Sequence, residues 1–351
     1  MKKLAMIGCG GIGSYHLSHF LQFHDIELAG FCDLIRERAE AFVEQAGSGK
    51  AFTDYKAMYD EIRPDMVFIC IPPYCHGEIE RETIARRIPF FVEKPVALDL
   101  KLAKEIRDEV AAAGLITASG FQCRYSKLVE PTNAFIRDNE VVYINCVRMG
   151  GIPGVEWWKH KDLSGGQAVE QTIHQFDIIR YCFGEPESVF TYTTRGFVRG
   201  VEGYDTDDVS VTAVKFQNGA LATISTGCYA EDGACYDSKV IFSAAKARAE
   251  LYILNRFDVY AAKKQEETDA SGFLVKNDGG FKPTEMDGFV RYKEEGDAGV
   301  LCDRTFIDAV ISGDGSKIRS PYADAVKSLE FTLACNQSAE TGLPVRMDFD
   351  R

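Results

Sequence analysis

The chain has 351 residues, enough for two domains, and its 46% hydrophobic and 26% charged residues are the balance of an ordinary globular enzyme. A formal net charge of −13 argues against a nucleic-acid-binding surface, which would be basic, and against an anionic membrane surface. It leaves room for an anionic cofactor, because a helix N-terminus binds phosphate locally whatever the total charge. The cysteines number 11, an odd count, and they are scattered without a C-x-x-C pair or a zinc spacing, the pattern of free thiols in a reducing cytosol. The apolar stretch Leu4–Ile7 is too short for a signal-peptide core, and no segment approaches the ~20 apolar residues of a membrane helix. The expectation is a cytoplasmic protein with neither nucleic-acid nor membrane partners.

In chain order, residues 1 to 123 alternate strand and helix. Leu4–Ile7 reads as a strand, Ser14–Phe23 as a helix, Ile26–Cys32 as a strand and Arg36–Ala46 as an amphipathic helix. Met66–Ile71 reads as a buried strand ended by Pro72-Pro73, followed by a helix at Glu78–Arg86 and a strand at Phe90–Val92. A helix at Leu100–Ala113, stopped by Gly114, leads to a strand at Leu115–Ser119. This alternation predicts βαβ units and a parallel sheet, a Rossmann domain over 1–123.

From residue 124 the pattern changes. A helix at Leu128–Arg137, a strand at Val141–Met149 and a helix from Ala168 to Phe183 precede strands at Ser188–Arg195, Val209–Phe216, Ala220–Thr226, Ser238–Ser243 and Ala249–Ile253. Asn218-Gly219 between two β-rich runs is a hairpin signal. Residues 262–300 read as a polar, Gly-rich excursion between strands. Helices at Asp303–Ile311 and Tyr322–Thr341 and a strand at Val345–Phe349 close the chain. Residues 124–351 therefore form an α+β domain with an antiparallel sheet, the last helix packing back at the domain boundary.

Gly8-Cys9-Gly10-Gly11-Ile12-Gly13 is a G-x-G-x-x-G turn between a strand and a helix. There the glycines admit the tight turn and the close approach of a pyrophosphate, and the helix end supplies N–H donors. Gly8, Gly10, Gly11, Ile12 and Gly13 are thus candidate dinucleotide contacts. Asp33 follows the second strand, twenty residues after Gly13, where a carboxylate bonds the ribose hydroxyls of NAD; its other reading is as N-cap of the next helix. Asp33 favours NAD, while Arg36 and Arg38 leave NADP open. Pro72 and His76, at the carboxyl end of a strand, are expected to line the cofactor groove.

Phe90-Phe91-Val92-Glu93-Lys94-Pro95 runs an apolar strand into a carboxylate, an ammonium and a proline. Charges at the carboxyl end of such a strand lie where open α/β sheets bind ligands. In the second domain Gly165-Gly166 opens a helix in which Glu170 and His174 are four apart and would share a face, with Asp177 three further on. A carboxylate beside an imidazole sets its tautomer and basicity, although a solvated pair on an amphipathic helix has the same spacing. The pattern is not H-E-x-x-H, so no metal site is expected. Trp157 and Trp158, among basic neighbours, suit a ring-shaped substrate or a packed loop. Arg124 either contacts substrate or braces the two domains.

Together, Gly8-x-Gly10-x-x-Gly13, Glu93-Lys94-Pro95, Gly120-Phe121-Gln122-x-Arg124-Tyr125 and Gly165-Gly166 leading to Glu170-x-x-x-His174 resemble the glucose–fructose oxidoreductase / inositol dehydrogenase (Gfo/Idh/MocA) family over essentially the whole chain. The resemblance implies a Rossmann domain followed by a large, mostly antiparallel open sheet whose outer face joins a homodimer or homotetramer. It implies reversible hydride transfer between NAD(P) and a secondary hydroxyl or hemiacetal carbon of a sugar, polyol or related cyclic diol. It makes Lys94 and His174 the catalytic pair and substrate contacts, assisted by Glu170, which stands where many members have Asp. Glu93 would anchor the nicotinamide end or Lys94. Relatives also include glycosidases that oxidise a sugar carbon only transiently, and dinucleotide sensors that lack the Lys/His pair. Loops 150–163 and 228–236 are expected to select the substrate.

Overall fold

The computed structural model describes residues 1–261 and 288–349. Most of the 262–300 excursion lies outside the described residues. The first six strands are β1 (Lys2–Ile7), β2 (Ile26–Cys32), β3 (Lys50–Phe52), β4 (Met66–Ile69), β5 (Phe90–Val92) and β6 (Thr117–Ser119). They form a wholly parallel sheet in the order β3-β2-β1-β4-β5-β6. This is the doubly wound order whose switch point lies between β1 and β4. The strands are short unbroken apolar runs because helices cover both faces: β4 and β5 are buried at every residue. The helices are α1 (Gly11–Phe20), α2 (Arg36–Ala46), α3 (Tyr55–Ile62), α4 (Glu78–Ala85) and α5 (Leu100–Ala113). Local chemistry sets their ends. Asp54 caps α3 and Asp99 caps α5, and Gly114, at φ 61°, turns the chain out of α5.

The second sheet has nine strands in the order β14-β13-β12-β11-β7-β10-β9-β8-β15. These are β7 (Val141–Met149), β8 (Pro186–Thr194), β9 (Val209–Phe216), β10 (Leu221–Gly227), β11 (Asp237–Ala244), β12 (Ala247–Tyr252), β13 (Arg256–Ala261), β14 (Gly288–Lys293) and β15 (Val345–Arg346). Among the described residues only the β7–β10 pair of this sheet is parallel. The hairpin at Asn218-Gly219 joins β9 to β10. Strands β13 and β14 were not legible in the sequence: β14 carries only half-buried and exposed residues, so no apolar alternation marks it.

Inner-face residues Ile144, Cys146, Val214, Ile224 and Phe242 pack on α6 (Val129–Asp138), on α9 (Ile173–Phe183) through Phe176 and Ile179, and on Phe331. The last two helices, α10 (Ala298–Ser312) and α11 (Tyr322–Thr341), bind the halves together. Phe306 of α10 lies edge-on to Phe68 and Phe91, so this late helix completes the core of the cofactor domain. Along α11, Tyr322, Ala325 and Leu329 belong to the first core and Phe331, Ala334 and Cys335 to the second. A linear division at residue 124 is therefore crossed twice by later segments.

Arg124 sits in this joint, 1% exposed. Nε and Nη2 donate to the two carboxylate oxygens of Asp177 at 2.9 and 2.5 Å, Nη1 donates to the Arg319 carbonyl at 2.6 Å, and Asp324 pairs with it as well. Of its two expected roles, the brace is the one its surroundings allow: every edge of the guanidinium is occupied by protein. Asp177 faces Arg124 and Ser328 and makes no bond to His174. Replacement Arg124→Met leaves Asp177 uncompensated in a water-excluded site, at a cost of about 3–5 kcal/mol. The variant should unfold at a clearly lower denaturant midpoint with an unchanged slope.

Candidate active site

At the carboxyl end of β1 the glycine turn is dictated by crowding. Gly8 has φ +93°, and a β-carbon on it would strike the Cys70 carbonyl; one on Gly13 would strike the Gly8 carbonyl. A β-carbon on Gly10 or Gly11 would meet nothing within 4 Å, so this side of the turn is open to a ligand. No side chain caps α1, leaving its first N–H groups available. Asp33 receives hydrogen bonds from Cys9 N and Ile35 N, both at 2.9 Å. It ties the end of β2 to the glycine turn and does not cap α2, whose N-cap is Ile35. Crowding where glycine is required, an open approach and a carboxylate beside it fit an adenine dinucleotide.

Farther along the sheet, Pro72 is half-buried before a single 3-10 turn at Pro73–Cys75. His76 departs from expectation. It is buried, with Nδ1 2.6 Å from Glu80 Oε1, while Gly77 N donates to Glu80 Oε2. The expected groove residue is thus held in the start of α4.

β5 delivers Glu93 and Lys94. Glu93 is buried; Oε2 accepts from Lys94 N at 3.1 Å and Oε1 lies 3.0 Å from His16 Nε2. A β-carbon on Gly120 would overlap this carboxylate, so the glycine makes the space for it. His16 Nδ1 and His19 Nδ1 lie 2.8 and 2.7 Å from Asp303 Oδ2 of α10. Burial opposes charging His16, but Asp303 and Glu93 outweigh it and raise its pKa to about 10. These N···O separations are those of hydrogen bonds, and they anchor Glu93, and through it the Lys94 backbone, to two helices.

The second domain meets this strand at Gly165 and Gly166, both with positive φ (75° and 83°), which only glycine adopts readily. The single helix expected from Ala168 to Phe183 is broken. It consists of α8 (Gln167–Glu170), a Gln171-Thr172 turn and α9; a short preceding turn, α7 (Lys161–Ser164), leads in. The break removes the i,i+4 pairing of Glu170 with His174 and redirects the carboxylate. Glu170 Oε1 accepts from Lys94 Nζ at 2.8 Å, and its backbone carbonyl accepts from the same Nζ at 2.8 Å. Glu170 Oε2 accepts from Trp158 Nε1 at 2.8 Å and Gln171 Nε2 at 2.6 Å. Burial alone would raise the Glu170 carboxyl, but the Lys94 ammonium and these hydrogen bonds hold it below its usual range. Trp158, expected against substrate, is fully buried and serves as a hydrogen-bond donor to Glu170; Trp157 is half-buried.

His174 opens α9, with Nδ1 3.9 Å from Cys123 Sγ. Burial and then the nearby Lys94 cation lower its pKa to about 3, so it is neutral at physiological pH. Lys94, Glu93 and His174 line one cavity of about 300 Å3 together with Ile12, Tyr15, His16, Gln122 and Asp303. A separate hollow of about 220 Å3, lined mainly by aliphatic groups such as Leu128, Val129 and Ile178, holds no such set of charges. Sequence reasoning missed His16, Tyr15, Gln122 and Asp303. Tyr15 and His16 follow the glycine turn on α1 and could have been flagged by that position. Asp303, from a helix nearly three hundred residues later, carried no signal.

A six-stranded parallel sheet with a phosphate-type turn, joined to a lysine–carboxylate–imidazole cluster from two domains, defines a dinucleotide-dependent oxidoreductase. Residues 2–121 match the oxidoreductase family with NAD-binding Rossmann fold (GFO/IDH/MocA), and residues 140–252 match the GFO/IDH/MocA C-terminal domain. The chain belongs to this family and is an NAD-dependent oxidoreductase with an NAD-binding first domain. It is 25% identical to the myo-inositol 2-dehydrogenase of Thermotoga maritima over 248 residues, 70% of this chain and 74% of that one. It is 24% identical to the scyllo-inositol 2-dehydrogenase (NAD(+)) of Bacillus subtilis over 357 aligned positions, 99% of this chain and 97% of that one. The crystal structure of myo-inositol 2-dehydrogenase from Lactobacillus plantarum superposes with a TM-score of 0.78 at 23% identity, covering 99% of both chains. No helix among the described residues is long and apolar enough to cross a membrane.

His16 makes stability depend on alkaline pH. Its pKa is raised in the folded state, so its contribution is complete below the unfolded value near 6.5 and is lost as pH rises to about 10. Thermal unfolding measured between pH 6.5 and 10 should show a steeper decline for the native chain than for His16→Gln.

Proposed function

We propose that the protein catalyses reversible, NAD-dependent hydride transfer at a secondary hydroxyl or hemiacetal carbon of a sugar, an inositol-like polyol or a related cyclic diol. The observation that carries this reading is the meeting of Lys94 and His174 at one cavity beside the glycine turn, each delivered by a different domain. Bound NAD would supply the hydride acceptor, held by the Gly8–Gly13 turn and Asp33.

His174, neutral and turned by Nδ1 toward Cys123, keeps Nε2 for the substrate hydroxyl proton. Lys94 donates a hydrogen bond to the same oxygen and stabilises the charge that develops there. Glu170 positions Lys94: its side chain and carbonyl take two Nζ hydrogen bonds and leave the third for substrate. A direct proton relay from Glu170 to His174 is not part of this scheme, because Glu170 is turned to Lys94, Trp158 and Gln171. Glu93 and His16 hold the Lys94 backbone in register.

The outward face of the nine-stranded sheet exposes Val142, Tyr143, Val211, Leu221 and Phe289. This apolar strip supports assembly of two or four copies through the sheet.

Exchange of Lys94 for Met should lower turnover by about 10²–10⁴-fold while leaving NAD affinity nearly unchanged. NADH formation over a panel of sugars and inositols, with calorimetric NAD titration, reads both quantities; wild-type turnover in the variant would sink the assignment. Because the pKa of His174 is lowered, its neutral base form persists to low pH. The profile of kcat/KM for oxidation should therefore be flat through the ordinary histidine range, with no acid limb near 6.5.

A further inference from the structure

Arg148 lies near the end of β7, on the inner face of the sheet. It is half-buried. Its one hydrogen bond among the described residues runs from Nη2 to Gln171 Oε1 at 3.1 Å, and it has no carboxylate partner there. The other buried arginines of the domain joint are saturated. Arg124 is held by Asp177 and Asp324, and Arg180 by Glu185 and Asp324. Basic groups of the neighbouring loop are paired as well, Lys159 with Glu156 and Lys161 with Asp207.

The surroundings of Arg148 are neutral and shaped for it. Its cross-strand neighbours are Thr226 and Ser238. The guanidinium lies over Gly150, whose missing side chain leaves that space to Nη1. The nearest acid is Glu170, already committed to Lys94, Trp158 and Gln171. Burial without an adjacent carboxylate lowers the Arg148 pKa, the signature of a desolvated cation. With one donor used by Gln171, the half-buried guanidinium keeps most of its five N–H groups for a ligand.

Its position places it behind the proposed catalytic pair. Gln171 accepts from Arg148 and donates to Glu170, which accepts from Lys94, so three hydrogen bonds connect Arg148 to the lysine. Arg148 also lies close enough to His174 to help lower its pKa, after burial and Lys94. Within this hydrogen-bonded chain Lys94 and Glu170 cancel in charge, so the unbalanced charge is that of Arg148.

We propose that Arg148 is a specificity-determining residue that binds an anionic substituent, a carboxylate or a phosphate, on the polyol or sugar that is oxidised. This rests on the reading of the site as a hydride-transfer centre, and it narrows the substrate class to sugar acids and sugar phosphates. Guanidinium recognises both groups by paired N–H···O bonds.

The test uses the full chain with NAD, in native, R148Q and R148K forms. Calorimetry and NADH formation are measured for D-glucuronate and D-glucose 6-phosphate against D-glucose, and for other uronates, aldonates and sugar phosphates against their neutral parents. At least one anionic member should bind the native protein roughly tenfold or more tightly than its parent. R148Q should weaken anionic members roughly tenfold more than their neutral parents, and R148K should retain part of the margin. The carboxylate and phosphate arms identify the substituent. Indifference of the native protein to every anionic member overturns the proposal, as does an equal loss of neutral and anionic binding in R148Q, which would mark Arg148 as a mere support for Gln171. Anion preference without turnover of any member would instead count against the hydride-transfer reading alone.

Discussion

The contact on which the two halves of the protein depend is the bond between Lys94 and Glu170. Lys94 arrives at the carboxyl end of a buried parallel strand; Glu170 arrives on a broken helix of the other domain. Two largely dehydrated charges repay their desolvation only if the geometry is good and the remaining hydrogen-bonding capacity is used. Both conditions hold. Trp158 and Gln171 fill the second carboxylate oxygen, and the Glu170 carbonyl takes a second bond from Nζ. The lysine is thereby fixed in direction, which a surface ammonium on four methylenes would not be.

Around that contact the joint is polar to an unusual depth. Arg124 with Asp177 and the half-buried Asp324, and His16 between Glu93 and Asp303, are largely buried charge networks at the seam of the domains. Apolar packing from α10 and α11 supplies the cohesion, and the charged groups supply direction. Breaking one partner of such a network leaves a stranded charge, so small changes here act over a long range.

Where sequence reading went astray, the reason was tertiary. The stretch 168–183 has helical spacing, and continuous helix would have put Glu170 beside His174. Glu170 instead gains a cation, an indole N–H and an amide by leaving the helix axis, and two glycines with positive φ allow the chain to do so. Trp158 and Arg124 carry the side chains of ligand contacts, yet both are walled in, because Glu170 and Asp177 needed buried donors. His76 was drawn against the start of α4 by Glu80, four residues on, a spacing at which two side chains meet.

Local patterns by themselves determined the parallel sheet, the glycine turn, the placement of Asp33 and the presentation of Lys94 at a strand end. Each is set by short-range sterics: unbroken apolar runs demand burial on both faces, and only glycine fits where Gly8 and Gly13 meet neighbouring carbonyls. The partners of those groups were decided only by tertiary structure. That Glu170 serves Lys94, that Asp303 reaches back to His16, and that Arg148 is left with a neutral neighbourhood all depend on segments far apart in the chain. Periodicity reports which face of an element is apolar; it carries no information about which distant polar group will be brought within 3 Å of another.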